Sequence, residues 1–418
     1  MESISIYPPT LDGKNIEQKR QEILKYFNNT YELFEKIFEL LENDKVFYKK
    51  SEPTRHPMIF YFGHTATFFI NKLILMKIID KRVDANFESI FAIGVDEMEW
   101  DDVNSKNYSW PKVEEVRRYR NIVKKIVQDL ICKLEFELPI KQNSAMWIIL
   151  MGIEHERIHI ETSLVLHRQM PLQFIKNIKE LNICTHSSKS HKNDMVKISS
   201  QAVKLGKNIN HNLYGWDNEY GVYKESVNEF KVSKYLVSNA EFMEFVENNG
   251  YEREEFWDEE GLKYLKNTNA KHPVFWILKD GVYKYRAISQ IIDMPLDWPV
   301  DVNALEAQAF CKYKSKIDGV TYMLPSEAEY RAIYEQTNIE DLPDFDQNRA
   351  NLNFYHYASS SPVNEFAFHT KNGEVIYDVV GNVWQWSRTF IHPFDGFKVH
   401  EAYDDFSVPT FDEKHLII

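Results

Sequence analysis

His155 and His159 stand four residues apart inside a long apolar run with helical spacing over residues 144–170. On a helix, positions i and i+4 lie one turn apart on the same face, so both imidazoles can point at one metal ion. Glu154, Glu156 and Glu161 surround them, and Glu156 is a candidate to orient the rings by hydrogen bonds from behind the metal. The string His155-Glu156-Arg157-Ile158-His159 is also literally the H-E-x-x-H pattern of zinc metallopeptidases, in which Glu156 would be the general base. The longer form of that pattern asks for Gly at 162 and His at 165, where the chain has Thr162 and Val165. A charged helix can carry the same spacing by chance, so the motif alone leaves iron, zinc and no metal all open.

Other groups could serve a substrate. The acids Asp96, Glu97, Glu99, Asp101 and Asp102 are either a solvated loop or a site for an ammonium group, with Asp101 as the candidate contact. Asn382 is a candidate polar contact at a cleft, because a buried amide demands partners. Trp384 and Trp386 are candidates for domain core or substrate contact.

The elements that must position these groups fall into two textures. Residues 1–180 read as all-helical. A first helix capped by Asp12 would run to 41, and a second would open at Pro57 and reach about 79, carrying His64. A loop over 83–110 leads to a third helix over 113–134 and then to the HxxxH helix. Four long helices suggest an up-down bundle, whose core can host a metal. Residues 182–197 turn polar and read as a linker. Beyond it, from 198 to 418, short strand-like runs such as 230–233 and 322–324 alternate with turns. Short helices are expected over 240–248, 305–315 and 327–335 in an α+β domain.

At 418 residues, with 44% apolar and 27% charged content, the chain suits two or three packed domains. A net charge of −13, spread along the chain, argues against nucleic-acid and anionic-membrane partners. The three cysteines Cys132, Cys184 and Cys311 form no disulfide framework, and the start of the chain lacks the pattern of a signal peptide. A cytoplasmic location is the expectation.

Three ordered motifs carry a family resemblance. Arg55-His56-Pro57-Met58-Ile59-Phe60-Tyr61-Phe62-Gly63-His64-Thr65, Gly94-Val95-Asp96-Glu97-Met98 and Gly152-Ile153-Glu154-His155-Glu156-Arg157-Ile158-His159 resemble the DinB-like four-helix bundle of the ovothiol-pathway sulfoxide synthases. The second half resembles the formylglycine-generating-enzyme, C-type-lectin-like α+β domain. There the marks are Leu324-Pro325-Ser326-Glu327-Ala328-Glu329-Tyr330 and Val380-Gly381-Asn382-Val383-Trp384-Gln385-Trp386-Ser387. The resemblance implies a mononuclear non-haem Fe(II) site held by His64, His155 and His159. Its implied substrates are cysteine, histidine and O2, joined as 5-histidylcysteine sulfoxide. Ergothioneine-type relatives instead couple a thiol to carbon 2 of trimethylated histidine, and a thiol dioxygenase could use the same scaffold.

The sequence departs from the family pattern in three ways. His392 falls where relatives place an active-site tyrosine and would be the catalytic group there, the alternative being that Tyr403 reaches in. The chain stops at Leu416-Ile417-Ile418, so the domain's last strands are expected to be lacking. No methyltransferase domain follows, so the pathway would call on a separate methyltransferase and a lyase.

Overall fold

Asn15, not Asp12, starts the first helix: its side chain accepts a hydrogen bond from the Gln18 amide at 2.9 Å, and α1 runs Ile16–Phe38. The protein is seen here as a computed structural model that describes residues 4–92, 109–337, 339, 345–404 and 407–418. Asp101, expected to contact substrate, lies outside the described residues. The second helix, α2, spans Met58–Leu75 behind Pro57. It ends before 79 because Lys77 takes a left-handed φ of 57° and the amides of Ile78 and Ile79 both fold back onto the Leu73 carbonyl. Within the expected loop a short helix forms, α3 (Ala85–Ile90), because Asp84 caps the amides of Asn86 and Phe87. Then come α4 (Val113–Lys133) and α5 (Ala145–Gln169), the latter capped by Ser144.

These helices form the first of two compact units, Met1–Glu180 together with Ile209–Asp217 and Lys398–Pro409. The four long helices are not neighbours in chain order. α1 packs on α4 and α5, and α2 packs on the same two, so α1 and α2 lie diagonally across the bundle. The expected up-down order is corrected here, and the reason is that connections 39–57 and 134–144 are long enough to cross a bundle end. Phe27, Phe34, Phe38, Phe60 and Phe62 are each at most 1% exposed, and each contributes roughly 1.5–3 kcal/mol by leaving water. α2 is long and apolar enough to cross a membrane, but 78% of it is buried within this core.

The second unit comprises Leu181–Asn208, Asn218–Phe397 and Thr410–Ile418. It is an α+β domain of small antiparallel sheets. β1 (Met195–Ile198) pairs β4 (Phe230–Ser233), β2 (Gln201–Leu205) pairs β3 (Tyr223–Val227), β5 (Trp276–Lys279), β6 (Val282–Arg286) and β7 (Ile291–Asp293) follow in order, and β8 (Ala367–His369) pairs β9 (Val375–Tyr377). Its helices are α6 (Asn239–Glu247), α7 (Glu259–Thr268), α8 (Ala304–Asp318) and α9 (Glu327–Gln336). The sequence reading missed α7, although Leu262 and Leu265 give it an apolar side packed on the core, and the expected strand 322–324 is irregular.

The expected linker is also corrected. Cys184 is 1% exposed in a core with Phe242, Trp276 and Trp298, and Met195–Ile198 is already strand. Polar residues there face solvent but are tied to the domain: Ser187 and Ser188 donate to the buried Asp297. At the other end, residues 415–417 hydrogen-bond to 387–391.

Candidate metal centre

α5 brings His155 and His159 to one face, as their spacing requires, and α2 presents His64 opposite them. One ligand atom from each of the three rings lies within 4.8 Å of the others. The rings are 7% (His64), 4% (His155) and 9% (His159) exposed. Burial pulls the His64 pKa down to about 4, and it holds His155 and His159 well below the usual histidine range, with the neighbouring imidazoles adding to the effect. All three are therefore neutral near pH 7, the form that ligates a cation.

What surrounds the rings fixes their direction. His64 Nδ1 donates to the Phe91 carbonyl at 2.6 Å, which leaves Nε2 as the lone pair. Phe68 stacks flat on His155, with ring centroids 3.6 Å apart and 6° between planes, and Phe60 stacks on His64. The Nδ1 atoms of His155 and His159 are buried and have no hydrogen-bond partner among the described residues. Three converging neutral imidazoles, with no protein group among the described residues placed to use their lone pairs, fit a divalent transition metal bound by three nitrogens, iron(II) or zinc alike.

Glu156 does not take the place expected of it. Its carboxylate is fully buried and accepts from Arg120 at 3.0 Å and Thr65 at 3.1 Å, not from either ring. Arg120 in turn donates to the Phe62 carbonyl and lies over the Tyr31 and Phe34 rings. The helix turn explains this: residue 156 is rotated about 100° from 155, toward α4. Glu154 likewise faces away and accepts from Tyr26 at 2.8 Å. A carboxylate bound into the bundle core is badly placed to be the general base of an H-E-x-x-H peptidase.

Tyr403, on the segment that joins the first unit near the end of the chain, comes close to this cluster. Its ring centroid is 5.2 Å from Phe68 and 6.4 Å from His155, and Lys72 Nζ lies 4.4 Å from the ring centre. Trp216 packs against it at 5.5 Å. A small concavity beside it is lined by Gln142, Trp147, Met151, Trp216, His400 and Tyr403. His392, by contrast, belongs to the second unit. There it packs against Tyr223 and Phe394, with Nδ1 on the Phe390 carbonyl at 3.0 Å.

Asn382 is structural in its contacts: it accepts from Ser361 N at 2.9 Å and donates to Ser361 O and Asp378. It does this in a left-handed backbone (φ 65°), which asparagine tolerates better than most residues. Trp384 is 53% exposed and so is not core, whereas Trp386 donates to the Val302 carbonyl. Phe68, Lys72 and Phe91 were missed by the sequence reading. The first two had a signal, since 64, 68 and 72 fall on one stripe of α2; Phe91 had none.

Comparison with known proteins agrees with this division. Residues 26–163 match the DinB superfamily, and residues 183–407 match the sulfatase-modifying factor enzyme 1-like domain. The chain is 23% identical to ergothioneine biosynthesis protein 1 of Schizosaccharomyces pombe, covering 91% of this chain and 49% of that protein. It is also 23% identical to the Neurospora crassa protein of the same name, over 87% of this chain and 50% of that one. Against hercynine oxygenase of Mycobacterium tuberculosis identity is 22%, over 48% of this chain and 47% of the relative. The chain thus spans about half the length of the curated relatives it matches. Because the second of the two domain matches covers more than half of its residues, the chain belongs to the sulfatase-modifying factor enzyme 1-like domain family.

Proposed function

We propose that the chain is an iron(II)- and O2-dependent sulfoxide synthase, joining the sulfur of a cysteine-type thiol to the imidazole ring of a histidine derivative. The observation that carries this is the buried cluster of three neutral imidazoles, His64, His155 and His159, with no carboxylate among the described residues grouped with it. The reading from sequence favoured free histidine and carbon 5. The names of the relatives support the alternative better, ergothioneine-type coupling at carbon 2 of trimethylated histidine.

Iron(II), when bound, would supply the electron chemistry that dioxygen needs. The chain's own residues do the rest. The Phe91 carbonyl and the Phe68 ring hold His64 and His155 in fixed directions, so nothing need reorganise when substrates arrive. Lys72 places positive charge beside Tyr403, which favours a substrate carboxylate or thiolate there. In this reading Tyr403 delivers a proton at the reacting sulfur or oxygen, the role that the family resemblance assigned to His392 with Tyr403 as alternative.

The test is anaerobic loading with iron(II), then oxygen uptake with cysteine alone, and with cysteine plus histidine or plus trimethylated histidine, products being read by mass spectrometry. A coupled product one oxygen heavier, formed only with an imidazole partner, supports the synthase, and the partner that works identifies the branch. Uptake with cysteine alone, giving sulfinic acid, would make this a thiol dioxygenase. His155→Ala and His159→Ala should each abolish iron binding and oxygen uptake together; uptake that survives either change rejects the assignment.

A further inference from the structure

We propose that Cys184, His186 and Glu365, in the second unit, form a separate site for a thiophilic divalent cation of the zinc class. One ligand atom from each lies within 4.8 Å of the others, and none of the three belongs to the histidine cluster. Cys184 Sγ is 3.4 Å from His186 Nδ1 and 3.8 Å from Nε2, and Nε2 is 3.5 Å from Glu365 Oε2. Around a tetrahedral zinc with bonds of about 2.0–2.3 Å, ligand atoms are roughly 3.3–3.6 Å apart, so the two separations from the imidazole Nε2 are close to those of a coordinating arrangement.

The backbone that carries them is held in place. Buried Asp297 accepts from Ser187 Oγ at 2.6 Å, Ser188 N at 2.7 Å and Ser188 Oγ at 2.8 Å. Trp298 donates to the His186 carbonyl at 3.1 Å, and the Cys184 amide donates to Ser359 at 2.9 Å. Glu365 is oriented from behind, its Oε1 accepting from Tyr357 at 3.0 Å and leaving Oε2 to face His186. Burial grades across the site: Cys184 is 1% exposed, while the side chains of His186 and Glu365 are 55% and 25% exposed. A cation can enter from the imidazole side, keep a water as fourth ligand and meet the sulfur at the bottom.

The charges close as well. Thiolate and carboxylate together neutralise a divalent cation, the imidazole ligating as its neutral form. Without a cation the thiol keeps its proton, pointed at the His186 carbonyl, because burial, together with the Glu365 and Asp297 carboxylates, pushes its pKa up to about 11. Binding breaks the S–H bond, forms a metal–sulfur bond and releases one proton to solvent, with no change of oxidation state. The same trio arranged as nucleophile, base and acid would need a thiolate open to substrate, which a sulfur this deeply buried does not offer.

Cobalt(II) titrated into the full chain is the probe, since thiolate ligation produces a sulfur-to-cobalt charge-transfer band and a cluster of three histidines produces none. The expected result is a band that saturates and is displaced by zinc(II). Cys184→Ser should abolish it, although Cys132 and Cys311 remain, and His186→Ala or Glu365→Gln should weaken cobalt binding by about tenfold or more. The His186 side chain is largely exposed, so His186→Ala stays informative even where Cys184→Ser disturbs the core. Absence of the band at millimolar cobalt overturns the proposal. So does a band that survives Cys184→Ser, or one indifferent to both His186→Ala and Glu365→Gln.

Discussion

At the scale of single residues, neighbours in sequence part company in role. Glu156 sits beside His155, yet its partner is Arg120, 36 positions away, and both are fully buried. Removing one member of such a pair leaves an uncompensated charge, so Arg120→Ala should destabilise the first unit by roughly 3–5 kcal/mol in chemical denaturation. Glu156→Gln keeps an acceptor for Arg120 and should cost less, about 1–3 kcal/mol, while oxygen uptake by the iron-loaded protein persists. Loss of uptake in a folded Glu156→Gln protein would return to Glu156 the role of orienting the metal-binding rings. For Tyr403 the expected change is in products. Tyr403→Phe should shift the ratio from coupled sulfoxide toward oxidised thiol by about tenfold or more, whereas His392→Ala should leave it unchanged. The opposite pattern would return the role to His392.

At the scale of elements, the site depends on how closely α2 approaches its neighbours, and two glycines permit that approach. A Cβ at Gly152 on α5 would run into the Phe69 ring of α2, so Gly152→Ala should cost about 1–3 kcal/mol of stability by overpacking. A Cβ at Gly63 would stand 2.7 Å from the Phe91 ring. Since the Phe91 carbonyl holds His64, Gly63→Ala should weaken metal binding by about 10–100-fold with little change in helix content. Calorimetric titration with metal checks this, and an unchanged affinity would mean that the Phe91 contact does not control His64.

At the scale of the whole molecule, the buried histidines of the first unit and the buried acids of the second should respond oppositely to acid. In the first, His64 and His167 are held near pKa 4 by burial, against 6.5 when unfolded, and His155 and His159 are shifted the same way. The unfolded chain therefore binds more protons between pH 6.5 and 4, and stability falls as pH drops through that window, by up to about 3 kcal/mol for His167 alone. In the second unit the buried acids Asp378, Glu306, Glu241 and Glu327 are shifted upward by burial, so the folded state holds protons that the unfolded one releases, and stability is gained as pH falls. Hydrogen exchange on the metal-free protein, resolved by peptide, should show Met1–Glu180 opening first between pH 6 and 4.5 on this linkage. Simultaneous opening would show that the histidines do not govern acid stability.

The sequence alone determined whatever follows from local period and from ordered motifs. Four long helices, the shared face of His155 and His159, and an α+β second half were all legible, because a helix fixes which side chains align within a turn or two. Only the tertiary structure decided which groups meet across elements. The diagonal order of α1 and α2, the Phe91 carbonyl behind His64, the Arg120 partner of Glu156 and the arrival of Tyr403 beside Phe68 each join positions far apart in the chain. Packing selects such pairs by volume, by the need to satisfy buried polar atoms and by loop reach, none of which has a period to read. The same holds for residues 182–193: polar composition suggested a spacer, and Cys184 in the core with the hydrogen bonds of Ser187 and Ser188 to the buried Asp297 tie the segment to the second unit.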